Sequence, residues 1–246
     1  MIISRNNALV KTVRALDRKK ERDETGLYIA EGLKTVKEAI ATRQNFFCLI
    51  LTESGEKLLT GTELPAGIRK ELVSDEVFES FTGEVSPQGV LAVLHKPVKP
   101  ICESNGRSLF LDGVSDPANV GAIIRTAAAT GFTDIFIAEG ADAYSPKAVR
   151  AAMSGIFRVN VFSGKREELA KAIETPFFAA DMGGENPFKV TVSEKFCLII
   201  GNEAHGVSEF MRSRTSVKLG LPMQNGMESL NAAVAAGVLM YALTNG

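Results

Sequence analysis

No apolar run in this 246-residue chain is long enough to cross a bilayer, which excludes a helical membrane protein. The opening segment, Met1 to Asn7, does not read as a secretory signal, so a cytoplasmic protein is expected. Cysteine is scarce. Cys48, Cys102 and Cys197 are scattered at no metal or redox spacing, which excludes a disulfide framework and points to reduced thiols. Histidine is scarcer: His95 and His205 form no ligand cluster, so no metal site is expected. No Gly-x-Gly-x-x-Gly follows a strand, which argues against a Rossmann dinucleotide site. A surplus of one charge is also missing. Against 28 Lys and Arg stand 29 Asp and Glu, so any contact with a polyanion must use a local patch.

What is present is unevenly spread. Arg5, Lys11, Arg14, Arg18, Lys19, Lys20 and Arg22 crowd the start of the chain. Leu9, Val10, Val13 and Leu16 fit one face of an amphipathic helix there and leave the basic residues on the other. This cluster is the richest candidate for phosphate contacts; the plain alternative is a solvated helix face. Residues 28–40 read as a strand entering a helix. Residues 47–52, the segment around Leu72, and 89–94 read as further strands. Residues 1–96 therefore form a small α/β domain. Residues 97–107, with Pro97, Pro100 and Gly106, make the linker.

From residue 108 to 246 the pattern is regular. Short apolar runs predict buried parallel strands at 108–114, 134–138, 158–162, 177–181, 196–201 and 217–219. Helices are expected at 120–130, 146–153, 166–173, 208–214 and 227–244. Gly131 is placed to end the first in left-handed geometry, and Ser145-Pro146 to start the second. The alternation implies an α/β fold: an open, mostly parallel sheet with helices on both faces.

Three segments in this half carry chemistry: Asn119-x-Gly121-x-x-x-Arg125, Gly201-x-Glu203-x-x-Gly206, and Leu221-Pro-Met223 followed by Ser229-Leu-Asn231. The last reads as a strand, a Pro/Asn/Gly loop and a small-residue helix, which brings backbone N–H groups and polar side chains to a helix start. Ligands of open α/β sheets bind beyond the carboxyl ends of strands. Strands ending near Gly201 and Leu221 can line one pocket, whose apolar residues suit an adenine ring.

In this order, the three segments resemble the motifs of the SpoU (TrmH) family of RNA ribose methyltransferases, within the SPOUT superfamily. The N-terminal part is more loosely similar to the family's substrate-binding domain. The resemblance implies a deep trefoil knot in the C-terminal domain, with the third motif as the threaded segment. It implies S-adenosyl-L-methionine as cofactor, bent within the knot against Gly201, Leu221 and Leu230, with Ile200, Met223 and Ser229 nearby. The plain alternative for Leu221 and Leu230 is burial in the core. The implied reaction is methyl transfer to a ribose 2′-hydroxyl in structured RNA. Ribosomal RNA is favoured because of the separate N-terminal domain. The alternatives are a tRNA 2′-O-methyltransferase and a non-catalytic RNA-binding or ribosome-assembly factor; the complete motif set speaks against the latter. A homodimer is also implied, with the small-residue face of Ala232, Ala233, Ala235, Ala236 and Gly237 as a candidate contact.

A ribose hydroxyl is a weak acid, so its proton must be removed or its oxyanion stabilised as the bond forms. The sulfonium methyl is already activated and needs no metal. The resemblance assigns the activating role to Arg125. A guanidinium is rarely deprotonated, so stabilisation of the oxyanion or of a nearby phosphate is preferred to a base role. Arg125 lies among Ala and Ile on its helix, where an arginine needs partners or an open pocket. Glu203 is the obvious partner for a structural ion pair, or else binds a substrate group. Asn119 holds the loop, orients Arg125 or contacts the ribose, and alternatively caps a helix starting at Val120. Ser229 and Asn231 contact substrate or the methionine moiety, or cap the last helix. His205 reads as a surface residue. Two positions depart from the family's usual pattern: Asn225 stands where Gly is usual, and Ala232 where Val is. Asn tolerates left-handed geometry, so the loop is expected to survive.

Overall fold

The computed structural model describes residues 1–84, 86–101, 104 and 106–244. Cys102 and part of the expected linker lie outside the described residues. The chain divides into two compact units: Met1–Val98 with Tyr144–Arg150, and Lys99–Ala143 with Ala151–Gly246.

The first unit contains α1 (Ala8–Ala15), α2 (Lys19–Thr25), β1 (Leu27–Glu31), α3 (Leu33–Ala41), β2 (Phe46–Leu51), α4 (Glu53–Leu58), β3 (Lys70–Leu72), α5 (Asp75–Glu79) and β4 (Val90–His95). Its sheet has the order β1-β4-β2-β3, with β4 antiparallel to both neighbours and β3 parallel to β2. Strand alternation sends Ile29, Cys48, Ile50, Leu91 and Val93 to the face that packs Leu9, Val10, Val13 and Leu16, together with Val77 and Phe78 of α5. The intervening Tyr28, Ala30, Ala92 and Leu94 are also buried, and α3 packs on β1 and β4. Residues Tyr144–Arg150 belong to this unit: the Tyr144 ring lies 4.9 Å from that of Tyr28, and Arg150 pairs with Glu84 at 2.7 Å.

The amphipathic face at the start of the chain is as expected, but the basic run beyond it forms a separate helix, α2. Arg22 explains the break. It is only 3% exposed, and its guanidinium donates to the carbonyls of Leu16 and Asp17 at 2.7 and 2.8 Å, satisfying orphan acceptors past the end of α1. Arg22 therefore serves the fold and is not on the surface that phosphates can reach.

From residue 107 onward the chain forms β5 (Arg107–Asp112), α6 (Pro117–Thr130), β6 (Asp134–Ala138), α7 (Pro146–Ala152, largely in the first unit), a 3-10 turn (Met153–Phe157), β7 (Asn160–Gly164), α8 (Arg166–Lys171), β8 (Phe177–Glu185), β9 (Phe196–Gly201), α9 (Glu209–Arg212), β10 (Thr215–Leu219) and α10 (Ala232–Thr244). The sheet order is β10-β8-β9-β5-β6-β7, and every pair is parallel. Both faces are covered, as parallel sheets require. Leu169, Ala170 and Met211 of α8 and α9 pack with Phe110, Phe136, Cys197 and Ile199. The alternate residues Leu109, Leu111, Ile135 and Leu198 are fully buried too. After the edge strand β10 the chain returns, and α10 packs on α6, β9 and β8.

Several boundaries differ from expectation for identifiable reasons. Helix α6 starts at Pro117, because the Asp116 side chain accepts from the Ala118 amide at 2.9 Å and Pro occupies the first turn. Strand β8 runs on to Glu185, but its ladder to β10 jumps from Ala179 opposite Lys218 to Glu185 opposite Leu219. Residues 180–184 thus bow out of the pairing, with Met182 76% exposed. Helix α10 begins at Ala232, five positions after the expected 227, since residues 227–231 are held in an extended loop.

Candidate functional site

Because the six strands are parallel, the turns after β5, β9 and β10 emerge at one edge of the sheet. That edge begins at Asp112, the last residue of central strand β5. Its buried carboxylate accepts from Arg166 Nε at 2.5 Å and from the Ser208 amide at 2.7 Å. The starts of α8 and α9 are thereby tied to the central strand. One residue on, the Gly113 carbonyl accepts from Asn202 Nδ2 at 2.8 Å, while Asn202 Oδ1 accepts the Ala204 and His205 amides. The turns of the first two motifs are interlocked before any of the expected site residues is considered.

Glu203 follows. Its carboxylate receives four hydrogen bonds from residues 115–119: the Ser115 amide at 3.1 Å and Oγ at 3.0 Å on one oxygen, the Asp116 amide at 3.3 Å and Asn119 Nδ2 at 2.9 Å on the other. It sits where the N-terminal dipole of α6 favours negative charge. Partial burial pushes its pKa upward, but the bonds from Asn119, from its own amide and from the Ser115 and Asp116 amides outweigh this and bring it down to about 2. Glu203 is therefore held as an ionised acceptor, with both of its oxygens occupied by donors.

Asn119 is buried, at 8% exposed, and its Oδ1 accepts from Asn231 Nδ2 at 3.0 Å. Asn231 Oδ1 in turn accepts the Ala233 and Val234 amides at 2.9 and 3.3 Å, so Asn231 is the cap of α10. One residue from each motif thus stands in a single series, Glu203–Asn119–Asn231. Asn119 lies inside α6 and does not cap it, and the cap of α10 is Asn231, not Ser229. Ser229 is exposed in the preceding loop, and His205 is exposed as expected.

Arg125 is placed elsewhere. It lies six residues further along α6 than Asn119, is exposed, and does not meet Glu203, whose carboxylate is occupied by residues 115–119. Among the described residues the alternative of an Arg125–Glu203 ion pair is not formed; an open position accommodates this arginine. Its backbone rests on Gly155 of the 3-10 turn, the short segment that packs against α6.

The candidate cofactor positions also differ among themselves. Ile200 is buried in β9. A Cβ at Gly201 would stand 2.2 and 2.3 Å from the backbone of Gly206 and Val207. Gly201 is thus needed for the close approach of its own turn; a side chain there would displace that turn and would not project into an open pocket. Leu221 and Met223 are half-buried, and Leu230 is 42% exposed, so Leu221 and Leu230 are not core leucines. The loop between them turns at Asn225 and Gly226, with φ of 56° and 71° and a Met227 amide to Gln224 carbonyl bond of 3.1 Å. Two successive left-handed residues make a type I′ turn, and Asn225 supports it as expected. Among the described residues no His/Cys/Asp/Glu group could hold a metal.

The basic candidates lie in the first unit. Arg5, Arg18 and Lys20 are exposed but bridged to Glu76, Glu21 and Glu24 at 3.4, 2.9 and 3.7 Å. Lys11, Arg14 and Lys19 are exposed and outside these bridges. Ser115, Asp112 and Asn202 were not singled out from the sequence. Asp116-Pro117 is the signal that would have placed the start of α6 and drawn attention to the donors just before it.

Comparison with known proteins identifies the family. Residues 106–241 match the model of the SpoU rRNA Methylase family, and residues 7–92 that of the MRM3-like substrate binding domain. The 23S rRNA (guanosine(2553)-2′-O)-methyltransferase RlmP of Bacillus subtilis is 33% identical, over 98% of this chain and 98% of the relative. The 23S rRNA (uridine(2479)-2′-O)-methyltransferase of Streptomyces viridochromogenes is 28% identical, over 98% of this chain and 90% of the relative. Among solved structures, an AdoMet-bound rRNA methyltransferase from Sinorhizobium meliloti superposes with a TM-score of 0.87 at 28% identity, covering 98% of this chain and 95% of that one.

Proposed function

The chain belongs to the SpoU rRNA methylase family, and from that premise we propose how its residues divide the work of an S-adenosyl-L-methionine-dependent rRNA 2′-O-methyltransferase. The observation that carries the reading is the bonded series Glu203–Asn119–Asn231, which unites three distant segments at the carboxyl edge of a parallel sheet. Relatives that modify a guanosine and a uridine share this chain's whole length, so the family fixes the ribose as target and leaves the base to each member. Both are named as 23S enzymes, and large-subunit ribosomal RNA is the substrate proposed here.

The residues present fit the cofactor. Leu221, Met223 and Leu230, on the loop after β10, are incompletely buried and would be the apolar side chains an adenosine covers, with backbone groups around Gly201 and Leu221 to read its edge. When bound, the cofactor supplies a methyl group already activated by its sulfonium. Arg125 holds the developing ribose oxyanion or the adjacent phosphate with a planar fork of donors. Asn119, Glu203 and Asn231 hold the loops. Ser229, exposed beside Leu230, is available to the substrate or the methionine moiety.

The knotted threading of residues 220–231 is part of the proposal, supported by the return of the chain from β10 to α6. A homodimer is proposed as well, on revised grounds. The small face of α10 is used internally: Ala236 is buried and Gly237 faces Thr126 of α6. The exposed side instead carries Val234 and Tyr241, at 52% and 51% exposed, an apolar stripe for a second copy. The described cysteines, Cys48 and Cys197, are buried and unpaired, which suits the cytoplasm. Lys11, Arg14 and Lys19 of the substrate-binding domain are proposed to dock RNA.

Mass-spectrometric mapping of ribose methylation in cellular RNA, with and without this protein, tests the function. One or a few 2′-O-methyl groups in 23S rRNA should depend on it. Dependence confined to tRNA would move the assignment to the runner-up substrate, and no dependence in any RNA would defeat the enzymatic reading.

A further inference from the structure

An ionised carboxylate can only accept hydrogen bonds, whereas an amide has one accepting and one donating end. This asymmetry fixes the orientation of both asparagines in the series. Glu203 meets four donors, so Asn119 must present its Nδ2. Asn119 Oδ1 then faces Asn231, which must also present Nδ2. Only Asn231 Oδ1 is left for the helix, and that is the atom the Ala233 and Val234 amides require. Reversing either amide would set donor against donor at one end and acceptor against acceptor at the other.

We infer that Glu203 is a positioning residue whose fixed charge sets the polarity of the whole series, and that through Asn119 and Asn231 it holds the first turn of α10 and the end of the cofactor loop. Ser115 is its second support, since its amide and hydroxyl both bond one Glu203 oxygen. This deepens the site reading above and rests on it. The segments joined are 84 and 112 residues apart in sequence, so the series links the helix bearing Arg125 to the loop bearing Leu221 and Leu230.

Replacing Glu203 by Gln preserves shape and removes the charge. The Gln nitrogen must oppose either the Ser115 or the Asp116 backbone amide, neither of which can turn. The Ser115 bond is the shorter, 3.1 against 3.3 Å, and its hydroxyl adds a second. The Gln oxygen therefore stays opposite Ser115, and the Gln amide faces Asp116 and Asn119. Asn119 must flip, Asn231 must flip after it, and the Ala233 and Val234 amides then meet a donor. Adding Asn119→Asp restores the direction, because an aspartate accepts from both sides. The charge has then moved one position along the series.

Hydrogen exchange measured by NMR on the full chain without cofactor or RNA tests this separately from the methyltransferase reading. In Glu203→Gln the Ala233 and Val234 amides should exchange about fivefold faster, the change that corresponds to a lost helix cap of ~1 kcal/mol. In Glu203→Gln/Asn119→Asp they should return toward the wild-type rate, with turnover above that of the single variant. Unchanged exchange in Glu203→Gln overturns the inference. So does a double variant that recovers neither protection nor turnover, whether or not the single variant folds. If Glu203→Gln fails to fold, a folded and protected double variant upholds it.

Discussion

Gly155 lies directly against the backbone of Arg125: a Cβ at position 155 would stand 2.9 Å from Arg125 Cα and 3.3 Å from its amide nitrogen. Neither backbone can yield without moving α6 or the 3-10 turn. Gly155→Ala should therefore shift the arginine and lower turnover, while cofactor affinity, proposed to rest on Gly201, Leu221 and Leu230, stays within a few-fold. Overpacking of this kind costs about 1–3 kcal/mol, so thermal unfolding should show a modest loss. Wild-type turnover in a folded Gly155→Ala protein would show that the position of Arg125 is not critical.

Arg125→Ala should abolish methyl transfer and leave S-adenosyl-L-methionine binding, read by calorimetry, within a few-fold of wild type. The exposed guanidinium holds none of the three motif turns together, so the fold should be indifferent to its loss. Arg125→Lys should remain poor, because a point charge does not reproduce a planar fork. Normal transfer by either variant removes Arg125 from the mechanism.

Acid should act through Glu203. Its carboxyl is near 4.5 when unconstrained and about 2 in the folded chain, so the unfolded state binds the extra proton first. The stabilisation is fully present above about pH 4.5 and drains away as pH falls toward 2. The residue is solvent-exposed, so the effect should be small and is best read as a difference: the melting temperature of Glu203→Gln should fall less steeply across that window than that of the wild type. Parallel curves would mean that the hydrogen bonds to Glu203 contribute nothing to stability.

RNA docking should depend on charges outside the ion pairs of the first unit. Replacing Lys11, Arg14 and Lys19 together by Ala should weaken RNA binding. It should also flatten the plot of log affinity against log salt by roughly 0.7 to 0.9 for each phosphate no longer neutralised. Cofactor binding should be untouched. An unaltered slope would exclude this face of the first unit.

Much of the fold was legible because it rests on local pattern. The continuous apolar runs of β5, β6 and β9 could be read as doubly covered strands, and Leu9, Val10, Val13 and Leu16 as one buried helix face. The site residues were legible as motif positions, but their relations were not. Nothing local says that Glu203 would commit its carboxylate to Ser115, Asp116 and Asn119 and leave Arg125 alone. The start of α10 was misplaced because residues 227–231 suit a helix by composition, whereas Asn231 is tied to Asn119. Arg22 was misread for a similar reason: its partners are carbonyls five and six residues back, which a charge count does not see.

The bond from Asn231 to Asn119 also has a consequence for how the protein is made. Synthesis proceeds from the N-terminus, so the first unit and the Arg125 helix emerge long before residue 231. A nascent chain can fold its first sheet and still lack the donor that Asn119 awaits. The Glu203–Asn119–Asn231 series can close only after residue 231 has cleared the ribosome, so the bonded site is completed as the last act of folding.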